Sequence, residues 1–183
     1  MNIKEQLDLI TERFSDSNFL HNKGLSNEVG FHFFCYPPKE EMLIRSYIQN
    51  LKNNKKEKYN LKVYDLYQIF LEILEEKGVL NKVSKLEEKK GKDNLLFQLK
   101  KIATPDAFIN KIYEPDQHID IVIIIGIGKV FPFIRTHNLL ENMQVNFSNT
   151  PVVVFYPGSY DGTCPKLFDK FNDGHYYRAF NLL

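Results

Sequence analysis

Residues 119–127, IDIVIIIGI, constrain the fold more than any other stretch of the chain. Nearly every residue is β-branched, which favours an extended strand, and the apolar positions run consecutively instead of alternating. A strand apolar on both faces has to be covered on both, as in the centre of a parallel sheet flanked by helices. Three further segments read as strands: 29–36 (VGFHFFCY), halted by Pro37-Pro38, then 61–66 (LKVYDL) and 151–156 (PVVVFY). A last strand is expected over 176–183.

Helical patterns fill the intervals. Ile3, Leu7, Ile10 and Phe14 recur at helical spacing, and an amphipathic run continues from Glu40 to Leu51. Residues 67–101 are rich in Leu, Glu and Lys, with breaks at Gly78 and Gly91. Thr104-Pro105-Asp106 reads as a helix start and Pro115 as its end, while 132–143 and 167–171 are expected to be helical. This order predicts an α/β fold, a three-layer sandwich with a mainly parallel sheet, as a single domain over residues 1–183 with a charged helical insert at about 67–115.

Charge and cysteine content exclude several function classes. The 183 residues carry 24 Lys+Arg against 23 Asp+Glu, a formal net charge of +1, so no global field demands a nucleic acid or a membrane. No apolar run approaches bilayer length, and the first turns carry Glu5, Asp8 and Glu12, so a soluble cytoplasmic protein is expected. Two cysteines, Cys35 and Cys164, are too few for a disulfide scaffold or an all-cysteine zinc site.

In open α/β sheets, sites form beyond the carboxyl ends of the strands. That neighbourhood should collect 37–40, 126–135, 157–164 and Asp65 with Tyr67. A phosphate-cradling loop is missing there. Pro37-Pro38-Lys39-Glu40-Glu41 contains no glycine, and Gly128-Lys129 is followed by Val130 where a metal-binding hydroxyl would stand. Gly126-Ile127-Gly128 is half of a dinucleotide fingerprint, with Phe131 in the third glycine's place, and reads as a tight turn off a packed strand. Asp120 lies at the strand entry, the wrong end for magnesium. The five histidines show no zinc-ligand spacing, and no cofactor is implied. Cys35 and Cys164, with His137 as base, are a weak nucleophile candidate, because a cytosolic cysteine ordinarily packs as a small hydrophobe.

What remains is a cluster of Arg135 and His137 with Tyr156, Tyr160 and Arg178. Arginine forks suit an anionic ligand, but pairing with Asp161, Asp169 or Asp173 to fix the loops is the favoured reading, because no carboxylate pair, metal site or activated nucleophile accompanies them. The lysines of the insert, such as Lys89, Lys90 and Lys92, are interspersed with Glu87 and Glu88, which argues for a solvated face and against direct nucleic-acid binding. Leu86 and Leu95 read as surface leucines available for docking another protein.

Several blocks resemble the BrxB family of BREX phage-defence systems: 123–143 (IIIGIGKVFPFIRTHNLLENM), 151–162 (PVVVFYPGSYDG), Lys166-Leu167-Phe168 and Tyr176-Tyr177-Arg178-Ala179-Phe180. Tyr36-Pro37-Pro38 with Glu40-Glu41 is similar to the family's N-terminal block, and Pro165 departs from the expected apolar residue. The resemblance adds Tyr177 to the motif residues Arg135, His137, Tyr156, Tyr160 and Arg178. It implies a P-loop NTPase-like core lacking the phosphate loop. It also implies a non-catalytic adaptor for other BREX proteins, the alkaline-phosphatase-like component foremost, then the methyltransferase or the ATPase; a homodimer is compatible with it. The alternative is a nucleotide- or nucleic-acid-binding enzyme using the Arg/His cluster at the strand ends.

Overall fold

The computed structural model describes residues 1–23, 30–54, 59–113, 118–172, 174, 177 and 179–183. The strands are β1 (Phe31–Tyr36), β2 (Leu61–Asp65), β3 (Ile121–Ile125), β4 (Val152–Tyr160), β5 (Pro165–Leu167), β6 (Phe171–Asn172) and β7 (Phe180–Asn181). Five of them run parallel in the order β2-β3-β4-β1-β7. The helices are α1 (Ile3–Phe14), α2 (Ser17–Leu20), α3 (Glu41–Asn53), α4 (Leu66–Glu76), α5 (Val83–Ile102), α6 (Pro105–Ile112), α7 (Ile127–Val130) and α8 (Thr136–Met143).

The unbroken apolar run makes β3 the middle of a three-layer sandwich. Val122 and Ile124 pack on one face with Phe33, Val154, Phe70 of α4, Phe108 of α6 and Leu139 of α8. Ile121 and Ile123 point to the other, among Phe34, Phe155, Ile10 of α1 and Ile48 of α3. A strand's side chains alternate between faces, so covering both requires an apolar residue at every position. The helices are started by local chemistry. Asn2 and Glu5 form a capping box on α1, Asp65 caps α4 through the Tyr67 amide, and Thr104 caps α6 ahead of Pro105. Gly78, at φ +64°, closes α4: the Val79 amide donates to the Leu74 carbonyl and the Gly78 amide to that of Glu75. Gly91 interrupts α5 with φ +78°.

Four expectations need correction. Residues 167–171 are not helical: β5 and β6 form an antiparallel hairpin that extends from β4, which itself runs on to Tyr160. Gly158 allows this, because its φ is +148° and a Cβ there would lie 2.0 Å from the Lys166 carbonyl oxygen. The helix expected over 132–143 begins only at Thr136, after a separate turn of helix (α7) and a cis Phe131-Pro132 bond. The strand expected over 119–127 is shorter, since Gly126 takes a left-handed conformation and Ile127 already belongs to α7. Finally, Leu95 is buried with Leu99 in the core on the α4 side, and Leu86 packs against that core, so these leucines hold α5 to the domain. Pro115, part of 114–117, lies outside the described residues.

Candidate functional site

The carboxyl ends of the parallel strands divide into a closed region and an open one. At the closed region, the Tyr36 hydroxyl at the end of β1 donates to Glu41, and the Arg45 Nε donates to the same carboxylate at 2.7 Å. The Arg45 guanidinium also donates to Asp65 at 3.1 Å, while the second Asp65 oxygen accepts from the Tyr67 amide at 3.0 Å. Burial, reinforced by the bond to Glu41, pushes the Tyr36 phenol well above its ordinary range, so it remains a donor. Gly126 completes the closure. Its φ is +82°, and a Cβ there would stand 2.3 Å from Asp65 Oδ1, so only glycine lets the β3 turn pass this carboxylate. The network holds α3, β2 and α4 together through the carboxylates of Glu41 and Asp65 and the Arg45 guanidinium between them. Asp65 stood in the expected loop set and Tyr36 and Glu41 in the family-like N-terminal block, whereas their meeting with Arg45 was missed; the i,i+4 spacing of Glu41 and Arg45 was its local signal.

The open region is a crevice of about 240 Å³ beyond β3 and β4. Ile127, Ile134, Tyr156 and Leu167 supply apolar lining, with Phe131 and Phe171 paired at 5.1 Å between ring centres. Arg135, Thr136, Lys170 and Asn172 supply the polar atoms, and among the described residues the lining contains no carboxylate. Arg135 precedes the first turn of α8 and places no side-chain cap on it.

The expected site residues are not brought together as one centre. Arg135 and Tyr156 border the crevice, whereas His137 and Tyr177 line a second cavity of about 300 Å³ with Phe31 and Glu141. His137 is buried, and its ring meets that of Tyr177 edge-on at 6.3 Å. Tyr156 and Tyr177 both pack edge-to-face on Phe33, each at 5.5 Å. Tyr160 also packs on Phe33, and its hydroxyl donates to the carbonyls of Tyr177 at 3.2 Å and Ala179 at 3.0 Å. Arg178, Asp173, His175 and Tyr176 lie outside the described residues.

Cys35 and Cys164 are free thiols. Burial, with a contribution from Asp169, pushes the Cys35 thiol up to about 12, so it stays protonated and is a poor nucleophile. Asp120 is the strand-entry residue the sequence suggests, accepting from the Asn60 amide at 2.7 Å. Among the described residues no cluster of His, Cys, Asp and Glu could hold a metal ion, and no helix is long and apolar enough to cross a membrane.

Fold and site together define an open parallel α/β domain whose strand ends are partly closed by an ion-paired network and partly open as an apolar, basic crevice. The chain belongs to the BrxB family of BREX proteins: residues 62–182 match the family model described as BREX protein BrxB. It is 43% identical over 189 aligned positions to a BREX protein BrxB of Bacillus cereus (strain H3081.97), covering 99% of this chain and 97% of the relative. It is 32% identical over 187 positions to one of Escherichia coli O9:H4 (strain HS), covering 99% and 92%. No solved structure matches the chain significantly.

Proposed function

We propose that this chain is a non-catalytic, cytoplasmic adaptor of a BREX anti-phage system, docking other BREX proteins and foremost the alkaline-phosphatase-like one. Family membership supports the setting. The observation that carries the adaptor reading is the network at the ends of β1 and β2. Phosphoryl chemistry needs donors and metal ions aimed at phosphate. Here the corresponding position presents the carboxylates of Glu41 and Asp65, tied to Arg45. The five parallel strands, with β1 inside the sheet, support a P-loop NTPase-like core whose phosphate site has been converted into structural contacts. The separation of Arg135 and His137 into different cavities weighs against an Arg/His catalytic centre.

Co-expression with each of the other BREX components, followed by size-exclusion chromatography with light scattering, tests this. A stoichiometric complex with the phosphatase-like protein is the expected result. If the chain elutes alone beside every component, the adaptor reading fails.

A further inference from the structure

We propose that the tip of the β5–β6 hairpin is a latch: the Phe168 ring, seated on Gly128 and Pro157, closes over the ends of β3 and β4 and swings out to bare them while the parallel sheet stays folded. This goes beyond the adaptor role and does not rest on it. The backbone supplies the first observation. Phe168 and Asp169 are both left-handed, at φ +56° and +58°, and neither is a glycine. Aspartate tolerates that region, whereas a phenylalanine there brings its Cβ against the following carbonyl and is disfavoured roughly tenfold.

The ring holds Phe168 in this conformation. A Cβ on Gly128 would lie 2.5 Å from the Phe168 Cζ and 3.2 Å from the Pro157 Cγ, so the bare backbone of α7 is the seat of the ring. The Phe168 amide also donates to the Pro157 carbonyl at 2.8 Å, and the Lys170 amide closes the turn on the Leu167 carbonyl at 3.0 Å. A ring half-buried against the core thus opposes a backbone that relaxes once the ring leaves. The sheet does not have to follow. β4 pairs with β1 from Val152 to Pro157 and with β5 only from Gly158 to Tyr160, so the hairpin stands outside the parallel ladder.

What the tip covers gives the movement a use. Asp169 lies near enough to Cys35, at the end of β1, for its charge to act on the thiol. Lys170 and Phe171, beside the tip, line the crevice beyond β3 and β4. An outward swing joins that crevice to the bared Gly128 and Pro157, at the strand ends where open α/β sheets take their ligands.

Hydrogen exchange on the full chain, read by NMR and corrected for intrinsic rates, tests this at the bonded amides of Phe168 and Lys170. The Val122 amide of β3, bonded to the Pro151 carbonyl, is the reference. The tip amides should exchange faster than Val122 by roughly tenfold or more, at a rate that low urea leaves unchanged. Gly128→Ala unseats the ring and should speed them by roughly another tenfold. Phe168→Ala removes the same contact from the other side and should act alike, which keeps the test open if the alanine at 128 prevents folding. Asp169→Gly eases the turn, leaves the ring in place and should slow the tip amides by about threefold. Cys35, in a Cys164→Ser background, reports on the strand ends: its alkylation should accelerate in step with the Phe168 or Lys170 amide in the ring-contact variants. The proposal is overturned if the tip amides exchange only as Val122 does, if Asp169→Gly fails to slow them, or if Cys35 alkylation stays unchanged while the ring-contact variants open the tip.

Discussion

Arg45 on α3 bonds Asp65 at 3.1 Å, where β2 ends, and so couples two elements that follow different strands. Each partner is about a quarter exposed, so the pair stands between a screened surface bridge and a buried one. Arg45→Ala should lower unfolding free energy by about 1–2 kcal/mol in urea titrations, because Glu41 and Asp65 both lose their cation. Asp65→Asn should cost less, since asparagine can still cap α4. A midpoint unchanged in Arg45→Ala would show that the bridges contribute nothing.

Gly126→Ala should destabilise by about 1–3 kcal/mol, since its backbone is left-handed and the added methyl meets Asp65. Gly78→Ala, with a similar φ and open space around it, isolates the backbone contribution and should cost less, about 1 kcal/mol. Thermal melts that rank the two equally would refute the steric part of the argument.

His32, 3% exposed on β1, has no hydrogen-bond partner among the described residues for either ring nitrogen. Burial, then the nearby Arg13, lowers its pKa to about 4 from 6.5. The unfolded chain therefore takes up a proton below about pH 6.5 that the folded chain refuses until about pH 4. Stability attributable to this group is complete above pH 6.5 and falls as the pH drops from 6.5 to 4. His32→Phe should remove that part of the acid slope in urea melts between pH 7 and 4. Its ring would lie between Phe19 and Phe180, and it should raise stability at pH 7 by about 1 kcal/mol. An identical slope in the variant would exclude His32 as its source.

Leu95→Ala should cost about 2–4 kcal/mol, as for other buried leucines. Phe97→Ala, two residues along the same helix, removes a 57% exposed ring that lies beneath the Lys101 ammonium and should stay within about 0.5 kcal/mol. Chemical denaturation of both variants checks the contrast, and similar losses would mean that α5 is anchored differently.

Tyr160→Phe removes the hydroxyl that donates to the carbonyls of Tyr177 and Ala179. The loss should be about 1 kcal/mol, and it should act locally by loosening the approach to β7. Hydrogen exchange at the Leu182 amide, which donates to the Phe33 carbonyl, should accelerate more than exchange within β3. Uniform acceleration across the sheet would show a global effect instead.

The sheet was legible because its strands are dictated by composition: a consecutive run of β-branched residues has few alternatives to a doubly covered strand. Capped helix starts at Thr104-Pro105 were equally readable, since cap chemistry is local. The hairpin of β5 and β6 was not, because Leu167 and Phe168 resemble a helical fragment until pairing with Gly158 is known. The leucines of α5 were misread for a related reason. Charges on either side suggest a solvated helix, and only packing reveals that one stripe is buried. The strand-end network escaped because Tyr36, Glu41, Arg45 and Asp65 meet only when two crossovers are folded, whereas Arg135 and His137, neighbours in sequence, face different cavities.

Strand β1 lies between β4 and β7, with Phe31 opposite Val152 and His32 opposite Phe180. A ribosome adding roughly 5–20 residues each second takes on the order of ten seconds to reach the first of those partners. Throughout that interval Phe31, Phe33 and Phe34 have been made and have nothing to pair with. The chain therefore cannot assemble its sheet progressively from the amino end. The aromatic strand made first in the sheet is paired late, after most of the chain has been synthesised.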